Sequence, residues 1–225
     1  MKVLFVQAKA NKDIANVISQ SLKSIPEKRI GLISAVQFTG QLKKVKKTLG
    51  DNKKVAVIGK PSGSAVLNGQ ILGCDVSSAT SIESKIDCFL YIGTGDFHPF
   101  GLLAKTDKPI YVLDPFTEKL KEITKDEKQK QQRRQILRLE QFKDCKTVGI
   151  IISTKPGQCK LQANPEIIKE KLEKEGKKVY LFICDNITNN ELLNFPRIEG
   201  WVNTACPRLA DDVFDKPFVN ACDMA

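Results

Sequence analysis

No stretch of this 225-residue chain stays apolar for the roughly 18 residues that a membrane-crossing helix needs. The opening M-K-V-L-F-V-Q-A-K-A is one brief apolar run that turns polar, so it reads as a strand rather than a signal peptide. The cytoplasm is therefore the expected location, and no membrane partner is expected. None of the seven cysteines stands in a C-x-x-C pair, and an odd number in a lysine-rich chain argues against a disulfide framework. Zinc fingers, an RNP aromatic motif and a recognisable helix-turn-helix are absent, so there is no direct nucleic-acid motif. No G-K-S/T follows the glycine-rich loop at Gly59 with Walker spacing, and no G-x-G-x-x-G follows a first strand. A P-loop enzyme is thereby excluded, and a Rossmann-type dehydrogenase is disfavoured.

What remains is an ordinary globular composition, 41% hydrophobic and 28% charged, with length for one large domain or two small ones. The net charge of +10 favours an anionic partner such as a ribonucleoprotein surface. The plainer reading, solvated lysine faces, is preferred.

Apolar runs of strand length alternate with helical stretches. The expected strands are Val3–Gln7, Ile30–Ser34, Val55–Ile58, Cys88–Ile92, Ile110–Leu113, Val148–Ser153, Val179–Cys184, Gly200–Asn203 and Phe218–Asn220. Several are continuous aliphatic runs, the signature of parallel strands covered on both faces. Helices are expected at Thr39–Leu49, Asp126–Phe142 and Asn164–Glu175, the last with Asn164 as N-cap, Pro165 at the first helical position and Gly176 as stop. A repeat runs through the chain. K-R-I-G-L-I-S-A from Lys28 matches K-T-V-G-I-I-I-S from Lys146, each followed by a K-K-V strand, and D-K-P-I-Y-V-L-D from Asp107 matches D-K-P-F-V-N-A-C-D from Asp215. The fold class is α/β: two tandem similar domains with mainly parallel sheets flanked by helices, residues 1–118 and 119–225. A charged helical stretch at Lys119–Phe142 joins them.

In such sheets ligands bind at the carboxyl ends of the strands. After Val55–Ile58 comes G-K-P-S-G-S-A-V-L-N-G-Q-I-L-G-C-D, whose glycines and serines expose N–H groups suited to an anionic ligand and which places Cys74 between small neighbours. After Cys88–Ile92 comes G-T-G-D-F-H-P-F-G with the only histidine, His98, suited to proton transfer, and Asp96, suited to holding a hydroxyl or ammonium group. After Val148–Ser153, Thr154, Lys155 and Gln158 offer groups for a carboxylate or amide edge; Gln37 holds the equivalent place in the first copy, and the neighbouring Cys159 is read as passive. After Gly200–Asn203 comes T-A-C-P-R-L-A-D-D. There Pro207 stiffens the loop behind Cys206, Arg208 would favour a thiolate and could bind a carboxylate, and Asp211 and Asp212 orient Arg208 or cap the next element. Cys88 and Cys184 read as core, Cys145 as structural, and Cys222 as chemically idle.

These loops, together with L-L-N-F-P, run in order and resemble the 2-(3-amino-3-carboxypropyl)histidine synthase family, which performs the first step of diphthamide biosynthesis, in its archaeal form. The resemblance implies three similar α/β domains, each giving one cysteine to a four-iron, four-sulfur (4Fe-4S) cluster, and a noncanonical radical reaction of S-adenosylmethionine. Its aminocarboxypropyl group would pass to a histidine of translation elongation factor 2. On this resemblance Cys74 and Cys206 are the second and third cluster ligands, Asp96 and His98 are catalytic, and Gln158, Lys155, Thr154, Gln37 and Arg208 bind the cofactor. The domain 1–118 corresponds to the family's second and 119–225 to its third.

The family's first domain has no counterpart here, since Met1 falls where the second should begin. Two thiolates are fewer than such a cluster takes. Either a partner chain in a homodimer or heterodimer supplies the first domain, or the chain is a fragment, or it has lost cluster chemistry. The alternative is a cluster-free S-adenosylmethionine-binding or scaffold subunit supporting a catalytic partner.

Overall fold

The aliphatic runs of the sequence become strands because helices on the two sides bury them. The computed structural model describes Leu4 and residues 6–103, 105–158 and 164–224. The chain forms two units, Met1–Lys128 and Gln129–Ala225. The first holds α1 (Ile14–Ser21), β1 (Arg29–Ser34), α2 (Leu42–Asp51), β2 (Val55–Ile58), α3 (Ser77–Thr80), β3 (Cys88–Ile92), α4 (Phe97–Leu103), β4 (Ile110–Asp114) and β5 (Lys119–Glu122). Helix α5 (Lys125–Lys143) spans the division. The second unit continues with β6 (Thr147–Ser153), α6 (Pro165–Lys174), β7 (Lys178–Cys184), α7 (Asn189–Leu193), β8 (Gly200–Asn203) and β9 (Phe218–Asn220). Among the described residues no helix is long and apolar enough to cross a membrane.

The first sheet has the order β2-β1-β3-β4-β5, parallel except for β5, and the second β7-β6-β8-β9, all parallel. Two expectations are corrected. Val3 and Phe5 of the expected first strand lie outside the described residues, while Leu4 and Val6 are exposed and no strand pairs with them. The stretch Lys119–Phe142 is not helical throughout, because Lys119–Glu122 pairs antiparallel with β4. Only Leu120 of that strand packs on the core, so it carries no apolar signal and is held by its backbone. Helix α5 then starts at a reciprocal cap: Glu127 N–H donates to Thr124 Oγ1 at 3.1 Å, and Thr124 N–H to Glu127 Oε2 at 2.8 Å. Helix α6 begins as its sequence indicates, with Asn164 accepting from Glu166 N–H and Pro165 in the first turn.

The repeat is built into the register. Ile30 pairs with Cys88 in the first sheet, and Val148 pairs with Gly200 in the second. The repeated lysines have a structural cause. Lys54 Nζ donates to the carbonyls of Ile25 and Glu27, and Lys177 Nζ to those of Lys143 and Cys145; the acceptors, though not the lysines, keep the 118-residue offset that separates Arg29 from Thr147. In the two D-K-P segments Lys108 Nζ binds the Ile86 carbonyl and Lys216 Nζ that of Ile198. These ammonium groups tie down the segments that lead into the strands, so part of the basic balance is spent inside the fold.

A glycine–aromatic pair also recurs. A Cβ on Gly31 would lie 2.6 Å from Ile86 and 3.0 Å from the Phe89 ring, and one on Gly149 would lie 2.4 Å from the Trp201 ring. Each glycine opens room on the neighbouring strand for a large ring. In the second unit one face of the sheet packs Val148, Ile150, Val202 and Leu172, and the other packs Ile151, Trp201, Phe218 and Leu192. That alternation is the two-residue period of a strand covered on both sides.

Candidate functional site

Each unit presents its candidate residues at the carboxyl edge of its parallel strands. In the first unit the segment after β2 turns back and runs beside the end of β1, with Ser34 N–H donating to Gly69 O at 2.8 Å and Ile71 N–H to Ser34 O at 3.1 Å. Several of its N–H groups are taken by the chain itself rather than left for an anion. Asp75 Oδ2 accepts from Ala65 N–H at 2.6 Å and Oδ1 from Ser77 N–H at 2.9 Å, while Gln70 Oε1 takes the N–H groups of Val66 and Leu67, both at 3.0 Å. Ser78 Oγ, fully buried, accepts from Gly69 N–H and donates to Gly59 O, both at 2.9 Å. The loop thus carries its own anion. Burial alone would raise the Asp75 pKa, but the N–H groups of Ala65, Ser77 and Ser64 outweigh it and hold the carboxyl below its ordinary range.

Cys74, exposed, sits in the two-residue turn closed by Leu72 and Asp75. The turn lies flat on α4: a Cβ on Gly73 would fall 2.1 Å from the Phe97 ring. Cys74 is thereby brought to the helix that bears His98 and follows Asp96. His98 Nδ1 shares a hydrogen bond of 2.9 Å with the hydroxyl of buried Tyr91, and burial lowers the histidine pKa, which favours neutral imidazole. Asp96 does not orient His98; its carboxylate is paired with Lys121 on β5. Gln37, exposed, stands in the 3₁₀ turn Val36–Gln41 after β1, on the same edge, with its carbonyl accepting from Ala10 N–H.

We expect Asp75→Ala to leave buried N–H groups unpaired and to destabilise the first unit by roughly 3 kcal/mol. Urea unfolding measures this, and limited proteolysis should cut residues 60–75 faster. Asp75→Asn, which keeps an acceptor, should lie between the variant and the parent.

In the second unit the turn after β6 holds Thr154, Lys155 and Gln158, all at the same sheet edge as Cys206. Thr154 Oγ1 donates to Asp185 at 3.3 Å, Lys155 Nζ to Asn186 Oδ1 at 3.0 Å, and Gln158 Oε1 accepts from Ser153 Oγ at 3.4 Å. Cys159 lies outside the described residues. After β8, half-buried Cys206 caps the 3₁₀ turn Pro207–Asp211, and Arg208 pairs with Asp212 at 3.3 Å, the arrangement expected of that carboxylate. Cys88 is fully buried, and its thiol is pushed up to about 12 by burial and by nearby Glu27 and Asp87. Cys145 is buried as well and Cys184 is half-buried at the end of β7, which suits inert core roles.

Cys74 and Cys206 belong to different units. Among the described residues no group of three or more His, Cys, Asp or Glu side chains is assembled as for a metal ion. The thiolates are suited to iron, and Pro207 removes a competing N–H beside one of them. Each thiolate by itself is a donor of the kind iron–sulfur clusters take. Sequence reasoning missed Asp75, Ser78, Tyr91, Asn203 and Asn220, the buried polar groups that shape these loops. The only available signal was a polar residue closing an aliphatic strand, as in V-N-T-A-C and F-V-N-A-C.

The model of a family described as "Putative diphthamide synthesis protein" matches residues 1–225. The 2-(3-amino-3-carboxypropyl)histidine synthase of Pyrococcus horikoshii is 29% identical over 211 residues, covering 93% of this chain and 59% of that protein. Subunit 1 of the synthase of Schizosaccharomyces pombe is 30% identical over 222 residues, covering 94% of this chain and 49% of the relative. The chain thus spans about half the length of the curated relatives it matches. Among solved structures, Dph2 from Pyrococcus horikoshii with a 4Fe-4S cluster superposes with a TM-score of 0.86 at 28% identity, covering 96% of this chain and 62% of that one.

Proposed function

The chain belongs to the family of putative diphthamide synthesis proteins, and from that premise we propose that it forms part of a synthase that transfers a 3-amino-3-carboxypropyl group from S-adenosylmethionine to a histidine of elongation factor 2. The observation that carries the reading is the pair of cysteine loops. Each is braced by buried polar side chains at the carboxyl edge of a parallel sheet, and the similar Dph2 structure is titled as holding a 4Fe-4S cluster. Cys74 and Cys206 would hold the cluster together with a further thiolate from another segment or a partner chain. When bound, the cluster supplies the electron that cleaves the Cγ–S bond of S-adenosylmethionine.

The remaining residues do the work of placement. Lys155, Thr154 and Gln158 present an ammonium, a hydroxyl and an amide for the polar ends of the cofactor, and Arg208 offers a guanidinium for its carboxylate. Gln37 adds an amide in the first unit. His98, kept neutral by burial and steadied by Tyr91, is suited to take a proton from the histidine that is modified. Asp96, paired with Lys121, contributes a charge at the same edge.

The test is anaerobic purification of the chain with whatever accompanies it, quantification of iron and acid-labile sulfide, and incubation with a reductant, S-adenosylmethionine and elongation factor 2. Iron with sulfide and a mass-shifted histidine is the expected result. Iron-free protein that still binds S-adenosylmethionine would overturn the transferase reading in favour of a supporting subunit.

A further inference from the structure

The end of β8 is closed by two buried amides. Asn203 is 0% exposed and Asn220, its partner on β9, is 8% exposed. Asn203 Nδ2 donates to the Cys206 carbonyl at 2.9 Å and to Asn220 Oδ1 at 2.8 Å, while its Oδ1 accepts from Ala205 N–H at 3.0 Å. Asn220 Nδ2 donates onward to the Pro207 carbonyl at 3.3 Å. Thr204 Oγ1 anchors the other side of the turn on the Ile151 carbonyl at 2.7 Å. Both donors and the acceptor of the Asn203 amide are used, so the polar group is buried without an orphan.

The fold does not require amides at these places. By sheet register Asn203 corresponds to Tyr91 in the first unit, and Asn220 to Val112: Ile33 pairs with Tyr91 and Tyr91 with Val112, as Ile151 pairs with Asn203 and Asn203 with Asn220. The first unit carries no cysteine loop after β3. The amides therefore go with the Cys206 turn, not with the sheet. A half-buried thiol on a turn whose flanking carbonyls are both held has little freedom to swing, and Pro207 restricts the backbone further.

We propose that Asn203 and Asn220 are positioning residues that fix the direction of the Cys206 thiol through the carbonyls of Cys206 and Pro207. The proposal rests on the reading of Cys206 as a cluster ligand for its consequence, though not for its geometry. Held ligands bind metal more tightly than mobile ones, and loss of such outer partners typically costs about 10- to 100-fold in metal affinity.

The experiment compares Asn203→Leu and the milder Asn220→Val, the residue found at the equivalent place in the first unit, with the parent and with Cys206→Ser. Fluorescence of Trp201 reports the folding of each. Two rates are read: alkylation of Cys206 in the iron-free chain, followed by peptide mass spectrometry with exposed Cys74 of the first unit as internal reference, and stripping of iron from the loaded protein by a chelator. The expected result is faster alkylation of Cys206 relative to Cys74, and iron loss faster by roughly tenfold. If a folded Asn220→Val chain is alkylated at the parental ratio, the brace is overturned, whatever happens to the iron. If Cys206→Ser keeps its iron while the asparagine variants speed alkylation, the ligand reading fails and the brace stands.

Discussion

Cys206→Ser is expected to bring cluster iron and aminocarboxypropyl transfer to background while leaving the chain folded, and Cys74→Ser to do the same. A serine oxygen is smaller and harder than the sulfur it replaces, and iron–sulfur clusters are held by thiolates. Neither thiol contributes to a core: Cys74 is exposed and Cys206 half-buried. The loops around them are held by other groups, Asp75 and Gln70 in one unit and Asn203 and Asn220 in the other. Stability should therefore change by no more than about 0.5 kcal/mol, as for substitutions away from packed or bonded features. Cys222→Ser is the control and should keep full iron. Iron analysis, the visible absorbance of the reconstituted protein and urea unfolding together decide the point. A Cys206→Ser chain with parental iron would remove Cys206 from the ligand set.

Trp201→Ala should cost the second unit roughly 3–5 kcal/mol. Trp201 is 0% exposed and fills the space that Gly149 leaves open. It meets Phe182 edge-on at 4.8 Å and Phe195 at 6.1 Å between ring centres, contacts that add to its buried area. Removing the indole leaves a cavity whose walls are rigid rings and a backbone strand, so it cannot collapse cheaply. Trp201→Phe should be much milder. Among the described residues the indole Nε1 has no hydrogen-bond partner, and phenylalanine removes that orphan along with part of the ring. Since Trp201 is the only tryptophan, unfolding must be followed by circular dichroism. Equal losses for the two variants would show that the phenyl ring recovers none of the packing that the indole supplies.

Much of the fold was readable because burial on both faces leaves a mark in the sequence. Continuous runs such as C-F-L-Y-I and T-V-G-I-I-I-S have no polar alternation and lie in central strands. The repeat was readable because the same lysines and glycines solve the same problems twice: carbonyls to tie down, and rings to accommodate. Strand β5 escaped notice because an exposed edge strand pairs through its backbone, which every sequence has. The glycine-rich loop misled for a related reason. Its composition suggested open N–H groups, but Asp75, ten residues beyond Ala65, returns to accept from that residue's N–H.

By itself the sequence determined that this is an α/β chain in two similar parts, with Cys74 and Cys206 in the loops that follow strands. Local periodicity and strand-end placement suffice for that, because both act over a few residues. The tertiary structure decided which polar groups hold those loops. Asn220 reaches Pro207 and Asn203 only because β9 is hydrogen-bonded beside β8, and Gly73 meets Phe97 only because the loop folds back onto α4. Such pairings join residues far apart in the chain. They are set by the packing of the sheet and leave no local pattern to read.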